Sequence, residues 1–362
     1  MQGDDDRAEH PAGRRLFGVT ADGRAVDAFT LISPRGLRAT ILTLGATLQS
    51  LIAPDRDGRM GDIVLGHDAA EPYWRTPAYL GVTVGRHANR IGHGGFVLDG
   101  AGFKLARNDG DHHLHGGDAG FDQRLWAVTA FDPPGSLTLN LISEDGDEGY
   151  PGRLETTCRF TLDDAGLTIF FEAKTDRATV VNLTNHAYFN LSGADGRSAL
   201  DHALTLQADA FTPVDAGLIP TGEFRPVAGT PFDFREPTRI RDRVDEVSDD
   251  QIRRGHGYDH NFVVRGERGV LRPAARLDDP VSGRRLDVLT TEAGLQLYSG
   301  NHLNDALIGK GGRVLVRGDG VCLEPQAFPD APNRPEFPST RLDPDQTYRH
   351  ALALRPSTFG AD

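Results

Sequence analysis

Apolar and polar residues alternate with a period of two through several short stretches of the chain, the spacing that sends one set of side chains to a buried sheet face. The clearest stretch is 136–141, with Leu137, Leu139 and Leu141 on one side and Ser136, Thr138 and Asn140 on the other. The same alternation runs through Leu154, Thr156, Cys158, Phe160 and Leu162, and again through Leu167, Ile169, Phe171 and Ala173. Asp163-Asp164-Ala165-Gly166 joins these two runs, so together they predict a β-hairpin. Further strands are predicted at 39–52, 125–131, 203–208, 286–290, 295–298, 313–316 and 321–324, mostly bounded by Gly, Pro or Asp.

Helical spacing is rare. Thr238 as an N-cap before Ile240, Val244 and Val247 predicts one short surface helix. Nowhere do strands alternate with long helices, which excludes a Rossmann sheet or a TIM barrel. The pattern is that of an all-β protein with few short helices, a large β-sandwich. With no internal repeat or composition shift, the expected organisation is one domain over 15–362 after a flexible amino-terminal tail, 1–14.

The 43 Gly and 22 Pro among 362 residues agree with many turns between short elements. A net charge of −13 argues against a nucleic-acid backbone or an anionic membrane as partner, since both reward clustered Lys and Arg. A neutral small molecule suits the chain better. The first fifteen residues are polar and acidic, and no later stretch is apolar enough to span a membrane, so the expected location is the cytoplasm. In that setting the sequons at Asn182 and Asn190 carry no modification, and Cys158 and Cys322 read as two buried thiols with no assigned function.

Polar, histidine-bearing segments interrupt the strand pattern at 85–90, 111–117, 182–190 and 257–262, and a carboxylate, Glu324, ends an apolar strand. A single His or Asn beside Gly is most often a turn former or a satisfied hydrogen-bonding group. Glu324 stands out more, because its place after Val321 and Leu323 points it away from their face, where an ionised carboxylate needs a partner or ligand. His113-Leu114-His115 has the spacing of two metal ligands on one side of a strand, but the nearby Glu of a cupin site is missing; the next is Glu144. Neither a phosphate-binding loop nor a nucleophile elbow is present, so nucleotide binding and covalent catalysis are disfavoured.

Taken in order, Gly85–Ile91 (GRHANRI), Leu114–Asp122 (LHGGDAGFD), Asn182–Leu191 (NLTNHAYFNL), Gly257–Phe262 (GYDHNF), Leu295–Asn301 (LQLYSGN) and Cys322–Asn333 (CLEPQAFPDAPN) resemble the signature segments of the aldose 1-epimerases, or galactose mutarotases. The resemblance extends from about Phe17 to the carboxyl end. It implies a β-supersandwich, no cofactor and no metal, and a free aldose as substrate. By motif position it places the general base on Glu324, the general acid on His186 and a second active-site histidine on His115. The sugar-hydroxyl ligands fall on Asn89, Arg90, Asp259 and Gln296. Two departures are His87, where many members carry an apolar residue, and the extra histidines His112 and His113; both read as surface or supporting variation, with His113 an alternative to His115 at the sugar.

The implied chemistry suits these residue types. Mutarotation removes a proton from the anomeric hydroxyl and delivers one to the ring oxygen; rotation about C1–C2 and closure on the other face complete it. A carboxyl group with an ordinary pKa near 4.3 and an imidazole near 6.5 cover both proton transfers. The alternatives are a phosphorylated-hexose epimerase, which needs a basic pocket, and a carbohydrate-binding module that has lost turnover. Retention of His115, His186 and Glu324 together favours the enzyme, acting as a monomer or homodimer.

Overall fold

The computed structural model describes residues 12–75, 78–193, 196–304 and 306–360. Much of the expected tail, up to residue 11, lies outside these; Gly13 and Arg14 already belong to the first strand, Gly13–Val19.

Three antiparallel sheets carry the molecule. Nine strands form the largest, which begins Ala127–Asp132, Ser136–Ser143, Leu154–Asp163, Gly166–Thr175 and continues through the carboxyl-terminal Tyr348–Thr358. A five-stranded sheet is built from the first strands of the chain, and a six-stranded sheet runs Tyr188–Phe189, Val321–Gln326, Gly294–Tyr298, Asp259–Val264, Ala208–Thr212, Arg225–Pro226. The predicted hairpin pairs in unbroken register from Leu154 opposite Thr175 to Asp163 opposite Gly166. Its period-two pattern is the physical cause: Leu154, Cys158, Phe160, Ile169 and Phe171 are buried while Glu155 and Lys174 face out. One apolar cluster draws on all three sheets, joining Leu31 and Ile41 to Phe160 and Phe171 and to Phe211 and Leu297, so the sheets are layered as a sandwich.

Three predicted elements come out differently. The run 39–52 is two strands, Arg38–Leu42 and Thr47–Pro54, broken at a tight turn where a Cβ on Gly45 would come within 2.6 Å of the Asp122 carbonyl oxygen. Hydropathy is blind to this break because Leu44 and Ala46 are as buried as the strands. Residues 313–316 form no strand; Val314 contributes only an isolated bridge to Ile308. At 238–247, Thr238–Arg239 is a strand edge and Ile240–Asp242 a single 3₁₀ turn. Thr238 Oγ1 donates to the Glu236 carbonyl instead of capping. The α-helix begins later, at Asp250–Gly255, where the Asp249 carboxylate accepts from the N–H groups of Gln251 and Ile252.

The six-stranded sheet is the one that positions chemistry. Val321–Gln326 and Gly294–Tyr298 are buried at every residue, so these two strands of the sheet are covered on both faces. Val321 and Leu323 enter the main core, and the alternate residues Cys322 and Glu324 face the other way.

Candidate active site

The register of that sheet gathers polar side chains onto one face. Gln296 sits opposite both Glu324 and Asn261 on its two neighbours, and Tyr298 sits opposite both Cys322 and Asp259. Directly opposed residues share a face. Gln296 Nε2 donates to Asp259 Oδ1 at 2.7 Å. Glu324 Oε2 and Gln296 Oε1 are buried with no hydrogen-bond partner among the described residues, which leaves two acceptors facing the site.

His186 reaches this face from the polar run 182–190. Thr184–Asn185 pairs with Thr83–Val84, and the His186 N–H donates to the Val82 carbonyl while its carbonyl accepts from Gly81. The fixed backbone sets His186 Nε2 at 3.7 Å from Glu324 Oε1, and its Nδ1 at 3.5 Å from Cys322 Sγ. Tyr188 and Tyr298 enclose the ring, with centroids at 5.0 and 6.4 Å.

His115 comes from the other side. It has left-handed backbone, φ 52°, and next to it a Cβ on Gly116 would fall 1.8 Å from the Gly85 carbonyl oxygen, so only glycine permits this approach. The Asn89 N–H donates to His115 Nδ1 at 3.2 Å, which places the ring proton on Nε2 as a donor. The His115 and His186 rings meet edge to face at 5.2 Å. Arg90, next to Asn89, donates through Nε to Asp109 at 2.7 Å and holds Nη1 3.7 Å from Asp259. All seven residues singled out in the sequence are therefore brought into one linked cluster.

Burial sets the protonation of this cluster. It pushes the Glu324 carboxyl well above the usual range; the Asp259 charge adds to the rise and Arg90 opposes it. It lowers His186 to about 4 and holds His115 well below the ordinary imidazole value, with the His186 and Arg90 charges acting the same way on His115. Each group is thus driven toward its uncharged form.

Other residues of the same motifs serve the scaffold. Asn182 bonds the carbonyls of Ala88 and Ala327 and accepts from the Ala327 N–H, and Asn190 bonds the carbonyls of Arg197 and Asp319. Arg86 is buried and donates to Ser143 Oγ and to the carbonyls of Ser143, Glu144 and Pro151. His113 is committed at both nitrogens, to the Ala106 carbonyl at 2.7 Å and the Tyr150 hydroxyl at 2.6 Å, so it neither pairs with His115 as a ligand nor takes its place. Of the two places expected for His87, the structure excludes the surface: the residue is wholly buried with both ring nitrogens unpartnered among the described residues.

Three participants were not legible in the sequence. Tyr79, half-buried with φ 58°, lays its ring against both histidines, 4.7 Å from His115 and 5.7 Å from His186. Asp109 anchors Arg90, and Cys322, taken as an inert thiol, lies against His186. Only Cys322 carried a sequence signal, its two-residue spacing from Glu324 on a strand.

A buried carboxyl–imidazole pair beside a bank of oriented hydrogen-bonding groups, on the inner sheet of an antiparallel sandwich, defines a proton-transfer enzyme for a small polar molecule. Comparison with known proteins makes this specific. The aldose 1-epimerase family model matches residues 27–355. The chain is 43% identical to bovine (Bos taurus) galactose mutarotase over 93% of its own length and 96% of that protein, and 37% identical to the Escherichia coli aldose 1-epimerase over 88% and 91%. The crystal structure of an aldose epimerase homologue from C. elegans superposes with a TM-score of 0.86 at 31% identity, over 93% of this chain and 100% of that one. That of galactose 1-epimerase from Lactobacillus acidophilus gives 0.84 at 32%, over 96% and 99%. The chain belongs to the aldose 1-epimerase family, and it is an isomerase that interconverts the α and β anomers of aldoses.

Proposed function

We propose that Glu324 and His186 are the acid–base pair of this mutarotation, with Glu324 the base and His186 the acid in ring opening. The observation that carries the reading is the 3.7 Å approach of two buried titratable groups on a face otherwise lined by hydrogen-bonding side chains. Burial raises the Glu324 carboxyl and lowers the His186 imidazole, which favours carboxyl and neutral imidazole in the resting pair. When sugar hydroxyls donate to the carboxylate, the proton passes to His186, and the pair opens the ring from that state. Glu324 takes the O1 proton and His186 supplies one to the ring oxygen. The products, carboxyl and imidazole, close the ring on the opposite face with exchanged roles, so the enzyme returns unchanged.

His115 donates from Nε2 to the oxygen on which negative charge develops; its lowered pKa keeps it a neutral donor. Asn89, Arg90, Asp259 and Gln296 hold sugar hydroxyls, the Asp259–Gln296 pair offering acceptors and Arg90 a donor. Tyr79 packs on an apolar face of the sugar beside both histidines.

Free hexoses such as glucose and galactose, and free pentoses, are the proposed substrates, in a cytoplasmic protein. The unphosphorylated sugar is favoured because Arg90 is already engaged by Asp109 and Asp259. Polarimetry of freshly dissolved α-D-glucose and α-D-galactose tests the reading: the approach to anomeric equilibrium should exceed the spontaneous rate, and faster turnover of a hexose phosphate than of either free sugar would overturn it.

A further inference from the structure

We propose that the same buried cluster is a zinc-binding inhibitory site in which Cys322, His186 and Glu324 take up a thiophilic divalent cation. The inhibition rests on the acid–base reading above; the binding rests on geometry alone. One ligand atom from each of the three residues lies within 4.8 Å of the other two, and all three residues are buried. Zinc–sulfur and zinc–nitrogen bonds of about 2.3 and 2.0–2.1 Å at a tetrahedral angle span about 3.6 Å. Cys322 Sγ and His186 Nδ1 are already 3.5 Å apart, the length of that edge. Glu324, two residues along the same strand from Cys322, has one carboxylate oxygen without a partner and closes the third corner by rotating its side chain. The fourth corner is left to water or a sugar hydroxyl.

The donor set also selects the ion. Thiolate, imidazole and carboxylate together favour zinc-type cations over magnesium or calcium, which demand oxygen ligands. Binding replaces the thiol proton of Cys322 and the carboxyl proton of Glu324, so two protons leave and the +2 ion meets two negative ligands in a neutral buried site. That neutrality removes the main cost of bringing an ion indoors. It also makes affinity rise with pH, because protons and the ion compete for the same ligands. While bound, the ion occupies the base and the acid at once, so turnover stops.

The test uses the full chain freed of metal and assayed by polarimetry, with Zn²⁺ as inhibitor and Co²⁺ as spectroscopic probe. Expected are half-inhibition at a zinc concentration that falls as pH rises, reversal by EDTA, and a thiolate-to-cobalt charge-transfer band in the near ultraviolet. C322S and C322A, each measured against its own metal-free rate, should lose the band. They should raise the half-inhibiting zinc concentration at least 100-fold, given that even outer-sphere partners of a metal site are worth about 10–100-fold. Equal zinc sensitivity in wild type and both variants, or a cobalt adduct with no thiolate band, overturns the proposal. A cobalt band in a protein that never accelerates mutarotation would instead overturn the acid–base reading and leave the metal site standing.

Discussion

Glu324 and His186 face one another across 3.7 Å, one from within the fully buried strand Val321–Gln326, which runs on past the position where the sequence pattern ends it, and the other from the residue after the two-residue pairing of Thr184–Asn185 with Thr83–Val84. Burial raises the carboxyl and lowers the imidazole, so their affinities for a shared proton converge and cross. A pair so placed can pass a proton either way, which suits a reaction whose two halves are mirror images.

Glu324→Gln keeps the size of the side chain and removes the proton acceptor. Turnover should fall about 10²–10⁴-fold, the usual worth of general acid–base catalysis, while sugar binding stays measurable by calorimetry. His186→Ala should lose a similar factor. Rates close to wild type in the Glu324 variant would remove Glu324 from the mechanism. Metal-free protein in EDTA should keep its full rate; a loss restored by a divalent ion would place a metal in catalysis.

On the proposed acid–base roles, turnover needs one proton on the pair, so the pH profile of kcat/KM should follow its two apparent pKa values. The acid limb should lie near pH 4, where His186 protonates in addition to Glu324, and not near the ordinary imidazole value of about 6.5. The alkaline limb should lie well above the usual carboxyl range. A limb centred near pH 6.5 and assigned to His186 by its absence in a variant would contradict the burial argument.

Tyr79 lays its ring against both His115 and His186. Tyr79→Ala should lower kcat/KM about 3–10-fold, in line with the 0.5–1.5 kcal/mol of aromatic packing. Tyr79→Phe, which keeps the ring, should stay within about twofold on the same packing argument. An inert alanine variant would show that no sugar face rests there.

His87 gives a stability prediction. Its folded pKa is lowered to about 3 by burial, with the His113 charge second, against about 6.5 unfolded. The unfolded state therefore binds the extra proton, and the stability this residue allows is present above pH 6.5 and lost as pH falls toward 3. His87→Val should remove that loss, gaining about 2–3 kcal/mol over wild type by about pH 4.5. Urea unfolding at about pH 7.5 and 4.5 checks it, and a difference independent of pH would show that His87 is not held neutral by burial.

Charge on Arg90 depends on its carboxylate partners for direction. Asp109→Asn should free the guanidinium and raise KM for the sugar more than it lowers kcat, since Asp109 contacts Arg90 Nε at 2.7 Å. A fall in kcat alone would argue that Arg90 acts in the transition state only.

By itself the sequence determined the local terms: strands where apolar residues alternate, the hairpin at 154–173, and the facing of Glu324 away from Val321 and Leu323. It also carried, in the wording of its motifs, the seven residues that meet at the site. Local rules stopped where backbone folds against distant backbone. The turn at Gly45, set by the Asp122 carbonyl, is of this kind. Within 182–190 the asparagines and the histidine look alike in sequence, yet Asn182 and Asn190 tie strands together and His186 faces Glu324. His113 and His115 differ by two positions; one is locked between Ala106 and Tyr150, and the other is turned by a left-handed backbone toward His186. Tertiary structure alone decided these matters, because register, burial and the resulting proton affinities depend on which neighbours the fold brings up, from Tyr150 beside His113, 37 residues on, to Ala327 beside Asn182, 145 residues on.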